Sequence, residues 1–134
     1  MSAGQNLPDL DLAVIGNCAI AALVDKRARI QWCCIPRFDG DPVFCNLLRD
    51  PQLPPDGIFE VELVGFARSR QRYIRNSAVL ETILCDDGGN EIRVVDFIPR
   101  FYRFRRIFRP VSIVRLIEPL SGVPRIRIRC KPRH

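Results

Sequence analysis

Apolar and polar positions alternate along most of this chain, with the two-residue period of half-buried β-strands. The clearest run is Ile58–Val64, where Phe59, Val61 and Leu63 are expected to face inward and Glu60 and Glu62 outward. Two earlier apolar runs, Cys18–Asp25 and Ile30–Ile35, are separated by Lys26–Arg29 and read as a hairpin. Its alanines leave a helix over 18–24 as the alternative. On the second strand Ile30, Trp32 and Cys34 share a face, which places Trp32 in the core.

Pro36 ends that strand, since it has no amide to donate. Asp41 then Pro42 reads as an N-cap and first helical residue, predicting a short helix over 42–48. Between these stops lies a loop of Arg37, Phe38 and Asp39. In the simplest reading Arg37 pairs with Asp39 or Asp41, and Phe38 tucks beneath the helix. Residues 50–57, with three prolines and a glycine, form an exposed connector.

Strands follow at 68–75 and 78–85, and a turn at Asp86–Asn90 sends the chain back through 91–99. Residues 100–110 are expected to be a long loop or an edge strand packed by its rings. The last strands are 112–118 and 125–130. Some eight strands in consecutive antiparallel order, with one short helix, give an all-β antiparallel β-sandwich after a flexible lead-in over 1–14. The last strand leaves Ile126 and Ile128 uncovered, so its edge is expected to be a dimer contact.

Composition narrows the function. The 134 residues suit one domain, and no run approaches the ~20 apolar residues of a membrane span. The opening residues lack a secretory leader pattern, so a cytoplasmic setting is expected. The six cysteines show no C-x-x-C spacing and read as reduced thiols serving as small hydrophobes. His134 alone completes neither a zinc set nor a cysteine nucleophile pair. No metal, cofactor or catalytic residue is expected in this chain.

Charge is unevenly divided: residues 1–92 carry a net −4 and residues 93–134 a net +10. Nineteen of the 21 basic residues are arginine, a bias that points to an acidic partner surface. Arg105, Arg106 and Arg109, interleaved with Phe104 and Phe108, are candidate interface residues. The same residues suit nucleic acid or a charge-protected edge, with nucleic acid the least favoured. The carboxylate pairs Glu60/Glu62 and Asp86/Asp87 read as wet surface and turn.

IGNCAIAALVD, IQWCCIPRFDGDPVFCNLL, QRYIRNSAVLET, VVDFIPR and VRLIEPLSGVPRIRIRCKPR, in that order, resemble the opening of bacterial and archaeal glycoside hydrolase family 15 proteins. These glucoamylase- and trehalase-like enzymes begin with a large β-sandwich. The resemblance implies that residues 15–134 are part of such a sandwich, incomplete at the C-terminal edge. It implies an (α/α)6 barrel as partner, with two glutamates roughly 6.5–9.5 Å apart that hydrolyse an α-glucosidic bond with inversion. Barrel and glutamates lie outside these 134 residues. Trp32, Arg37, Phe38, Asp39, Arg72 and Tyr73 become candidates for contact with the barrel or with an α-glucoside. The alternative is a standalone carbohydrate- or protein-binding module. Ala28 stands in the first hairpin where the family more often has glycine.

Overall fold

A computed structural model describes residues 10–133. Strand accounts for 52% of the structure and helix for 2%, which settles an all-β fold. In chain order the strands are β1 (Ala13–Gly16), β2 (Ala21–Val24), β3 (Ile30–Cys34), β4 (Pro42–Phe44), β5 (Ile58–Leu63) and β6 (Phe66–Tyr73). They continue as β7 (Leu80–Asp86), β8 (Glu91–Phe97), β9 (Phe101–Arg103), β10 (Arg106–Phe108), β11 (Val114–Ser121) and β12 (Ile126–Lys131). One sheet runs β1-β2-β3-β5-β12 with β4 on β3, and the second runs β11-β8-β7-β6. Every pairing is antiparallel. β9 and β10 form a separate hairpin.

The period-two strands bury one face each, because a half-apolar sheet is stable only against another. Ile15, Ile20, Val24, Ile30, Leu80 and Ile98 belong to one core cluster; Val61, Leu63, Leu84, Ile92 and Val94 belong to a second. Each such side chain contributes about 1.5–3 kcal/mol by leaving water. Along β7 and β8, buried Thr82 and Asp96 fall between the positions that feed the two clusters. Asp96 meets the Arg115 guanidinium there at 2.6 Å, with both side chains out of solvent. Arg115 also donates to the carbonyls of Phe59 and Ala28 and stacks over the Phe59 ring. Burial pushes the Asp96 carboxyl up, while Arg115 opposes that shift.

Several expectations need correction. The run 42–48 is not a helix: Pro42–Phe44 pairs with β3, and only Asn46–Leu48 makes a 3₁₀ turn. β-branched Val43 and the aromatic Phe44 suit an edge strand, and Phe44 buries itself against Phe59 at 5.5 Å. Asp41 therefore caps nothing; the residue before the turn is Cys45, without a side-chain cap. The run at 18–24 adopts its strand reading as β2. β1 starts at Ala13, within the expected lead-in, and Met1–Asp9 lie outside the described residues. The final strands are not neighbours, since β11 and β12 lie in different sheets.

Trp32 is half-buried and outside the core clusters. A bulge causes this: Val24 pairs with Ile30 but Leu23 pairs with Trp32, so Gln31 is the extra residue. Strict alternation breaks there, and Cys33 takes the core position that spacing assigned to Trp32's face. Buried Gln31 bridges Asp25 Oδ2 at 2.8 Å and Asn46 Nδ2 at 3.0 Å. The Asp25–Arg29 turn is held by both Asp25 oxygens and carries Ala28 at φ +60°, with its methyl buried. A glycine would reach that left-handed φ without cost.

Candidate docking surface

The β9–β10 arm carries five arginines, Arg100, Arg103, Arg105, Arg106 and Arg109, and the stretch 99–110 contains no acidic residue. Every residue of both strands is exposed. Phe101 and Phe108 face each other across the arm and stack at 5.3 Å, 12° from parallel. Arg103 lies over the Phe104 ring. Phe104 and Arg105 form the tip, both with positive φ, +52° and +60°. Two-residue hairpins require that geometry and normally fill it with Asn-Gly, so an aromatic and an arginine here hold strained backbone. None of Arg105, Arg106 and Arg109 has a carboxylate partner among the described residues.

The arm is fixed at its base by a residue the sequence reading passed over. Asn17, 2% exposed, donates from Nδ2 to the carbonyls of Pro99 and Pro110, each at 2.9 Å. Those carbonyls bracket the arm on its two sides. Asn17 Oδ1 accepts the amides of Ala19 at 3.0 Å and Ile20 at 3.1 Å, tying the arm to the β1–β2 turn. No spacing rule announces such a clamp, because its partners are backbone groups more than 80 residues away.

The other candidates scatter. Arg37, Phe38 and Asp39 are exposed; Arg37 pairs with Asp39 at 3.0 Å as expected, but Phe38 is 59% exposed and tucks under nothing. The helix that was to cover it does not form. Arg72 donates to Glu81 Oε1 at 2.9 Å, and Arg93 approaches Oε2 at 2.7 Å. Arg72 leads in holding the buried Glu81 carboxyl below its usual range. The Tyr73 hydroxyl accepts from Val14 N at 2.9 Å and donates to Val14 O at 2.8 Å, stitching β6 to β1. Both residues thus have structural partners. Trp32 helps line a cavity of about 570 Å³ with Leu48, Leu53, Pro54 and Asp56.

The carboxylates do not gather into an acid–base pair. Glu60 is buried, not wet, because Arg129 of β12 reaches it at 2.8 Å. Asp86 binds the Gly88 and Asn90 amides and the Asn90 side chain, which holds its carboxyl low. All six cysteines are free thiols, of which Cys33, Cys34 and Cys85 are buried. Burial, with Cys34 adjacent, pushes the Cys33 thiol up to about 11, against nucleophilic use. Among the described residues no group of three or more His, Cys, Asp or Glu is placed to hold a metal ion. No helix there is long and apolar enough to cross a membrane.

The profile of the family described as "Trehalase-like, N-terminal" matches residues 3–134. The chain belongs to this family. The trehalase-like N-terminal domain is also similar to Trehalase 2 of Sulfolobus acidocaldarius, 30% identical over 90 residues. That match covers 67% of this chain but only 14% of the relative. No solved structure matches.

Proposed function

We propose that this chain is the non-catalytic N-terminal domain of a family 15 glycoside hydrolase of glucoamylase or trehalase type, and that it docks on the catalytic domain through the β9–β10 arm. The observation that carries the reading is the arm itself: five arginines and an exposed aromatic set held rigidly by Asn17 in a domain of this family. Arginine and aromatic side chains on a fixed scaffold are the usual anchors of protein interfaces. The partner face is acidic, with apolar ground for the Phe101 and Phe108 rings. The substrate of the whole protein is an α-glucoside. Family membership also supports assigning the catalytic glutamates to the barrel. The free thiols suit a reducing, cytoplasmic setting.

The test is co-expression with a trehalase catalytic domain deprived of its own N-terminal region. A stable one-to-one complex, weakened by salt and abolished by Arg103→Glu with Arg106→Glu, is expected. The chain alone should hydrolyse neither trehalose nor maltose; turnover by the purified chain sinks the non-catalytic reading. A second reading, carbohydrate binding, is favoured by the cavity that Trp32 lines together with Arg49 and Asp56. Retention on α-glucan resin that Trp32→Ala abolishes and Phe38→Ala spares would support it.

A further inference from the structure

β3 begins at Ile30, which pairs with Phe59, so beyond that point β5 is flanked by the Asp25–Arg29 turn instead of a strand. Between turn and strand lies a cleft of about 330 Å³. Its apolar lining is Val61, Leu63 and Leu84 of the second core cluster, with Phe66. Its polar lining is Arg27, Arg29, Arg49 and Arg129 together with Glu60 and Glu62. Arg129 apart, the walls come from residues 27–84.

The partners of these groups show what the cleft can still bind. Arg27 lies over the Phe66 ring at 4.1 Å, and neither Arg27 nor Arg49 has a carboxylate partner among the described residues. Arg29 pairs with buried Asp25 through Nε at 2.7 Å, which leaves its terminal amino groups to other acceptors. Arg129 reaches Glu60 Oε2 at 2.8 Å and Glu62 Oε2 at 3.5 Å, and Arg127 approaches the same Glu62 oxygen. Each carboxylate is thus held through Oε2, and Oε1 has no donor among the described residues. The Glu60 side chain is only 10% exposed, so an acceptor left open there is costly.

Four guanidiniums set against Glu60, Glu62 and Asp25 leave one positive charge. A bare cation meets the arginines, and a zwitterion leaves the excess charge unanswered. A bare anion such as sulfate satisfies the arginines but offers nothing to the carboxylate oxygens and is repelled by them. An oxyanion that keeps a proton answers both: its charged oxygens accept from guanidinium groups while its hydroxyl donates to a carboxylate. We propose that this cleft binds hydrogen phosphate, held by Arg27, Arg29 and Arg49, with its hydroxyl donated to Oε1 of Glu60 or Glu62. The volume lies at the small end of ligand clefts, ~300–1,000 Å³, and suits a small ion. The inference is independent of the docking arm, and of the Trp32 cavity except that Arg49 lines both clefts.

The probe is inorganic phosphate, titrated into the ¹⁵N-labelled 134-residue chain at pH 7 and constant ionic strength, with sulfate and glycerol phosphate as comparisons. The Nε–H resonances of Arg27, Arg29 and Arg49 should shift with phosphate, and sulfate should bind about tenfold more weakly. A phosphate monoester, with a second pKa near 6, has mostly lost its proton at pH 7, so glycerol phosphate should resemble sulfate. Arg49→Ala should weaken phosphate binding about tenfold without moving the urea midpoint, since Arg49 is exposed and has no carboxylate partner. Glu62→Gln should erase the preference for phosphate over sulfate, and Trp32→Ala should alter neither ion. Equal affinity for the three anions overturns the proposal, as do shifts that appear equally on the arginines of the β9–β10 arm. So does the absence of any shift with phosphate.

Discussion

Asn17→Ala removes four hydrogen bonds from a site 2% exposed to solvent. The loss strands the Pro99 carbonyl and the Ala19 and Ile20 amides; Pro110 keeps a bond from Ser112 N at 3.0 Å. A typical net hydrogen bond is worth about 1 kcal/mol, and each buried group left unpaired costs about 1–3 kcal/mol. Partial access of water at Ala19 and Pro99 lowers the sum, which we place at about 2–4 kcal/mol. That is a large part of the ~5–15 kcal/mol available to a small domain. With a urea m-value of about 1.5–2 kcal/mol/M, the midpoint should fall by roughly 1–2.7 M. Trp32, the one tryptophan, reports the transition. Hydrogen exchange at Phe101–Phe108 should accelerate beyond what global destabilisation explains, because both roots of the arm are released together. A midpoint unchanged within about 0.3 M refutes the energetic argument. A lowered midpoint with arm amides following the rest of the fold refutes the clamp.

Further outcomes follow from the buried charges and the strained tip. Arg115→Met should cost about 3–5 kcal/mol by urea unfolding, since it leaves Asp96 buried without its cation. Asp96 has a raised folded pKa, so its contribution is fully present below the unfolded value near 3.9 and declines as pH rises through the folded one. Glu81 has the opposite sign: its contribution is present above about 4.3 and lost as pH falls through its lowered folded value. Glu81→Gln should therefore flatten the acid limb of a stability–pH curve; an unchanged limb counts against the Arg72 pairing. Phe104→Asn with Arg105→Gly should stabilise the arm by about 1 kcal/mol in thermal melts while weakening docking. A loss of stability would show that the tip carries no strain.

The sequence disclosed strands such as β5, β7 and β8, whose alternate residues feed the core clusters, although Glu60, Glu81 and Cys85 are buried on the other face too. It failed where backbone geometry broke that alternation. The bulge at Gln31 costs no glycine or proline and leaves no compositional mark, yet it moved Trp32 out of the core. At 42–48 the Asp-Pro signal pointed to a helix, but Val43 and Phe44 gained more from β3 and the core. The candidate site was legible as composition, in the run of arginines and aromatics. Its rigidity was not, because Asn17 acts on carbonyls that only the fold brings near.

The same fold divides nine of the twelve basic residues of 93–134 into two populations. Arg93, Arg115, Arg127 and Arg129 answer Glu81, Asp96, Glu62 and Glu60, three of which are buried on strands whose charge pattern alone read as surface or went unremarked. Arg115 is spent inside the sandwich and replacing it should be felt as stability; Arg93 and Arg129 reach buried carboxylates from its rim, and the exposed Arg127 pair stabilises little. Those of the arm meet no carboxylate in the described structure and gather on a hairpin that contributes nothing to either core cluster. Replacing them should leave stability nearly unchanged, since an exposed arginine without a partner stabilises little. A basic tail selected only for solubility would spread its charge along flexible chain. Concentration on a clamped arm with a strained aromatic tip instead concedes local stability for a defined surface, the pattern expected where strain is retained for contact.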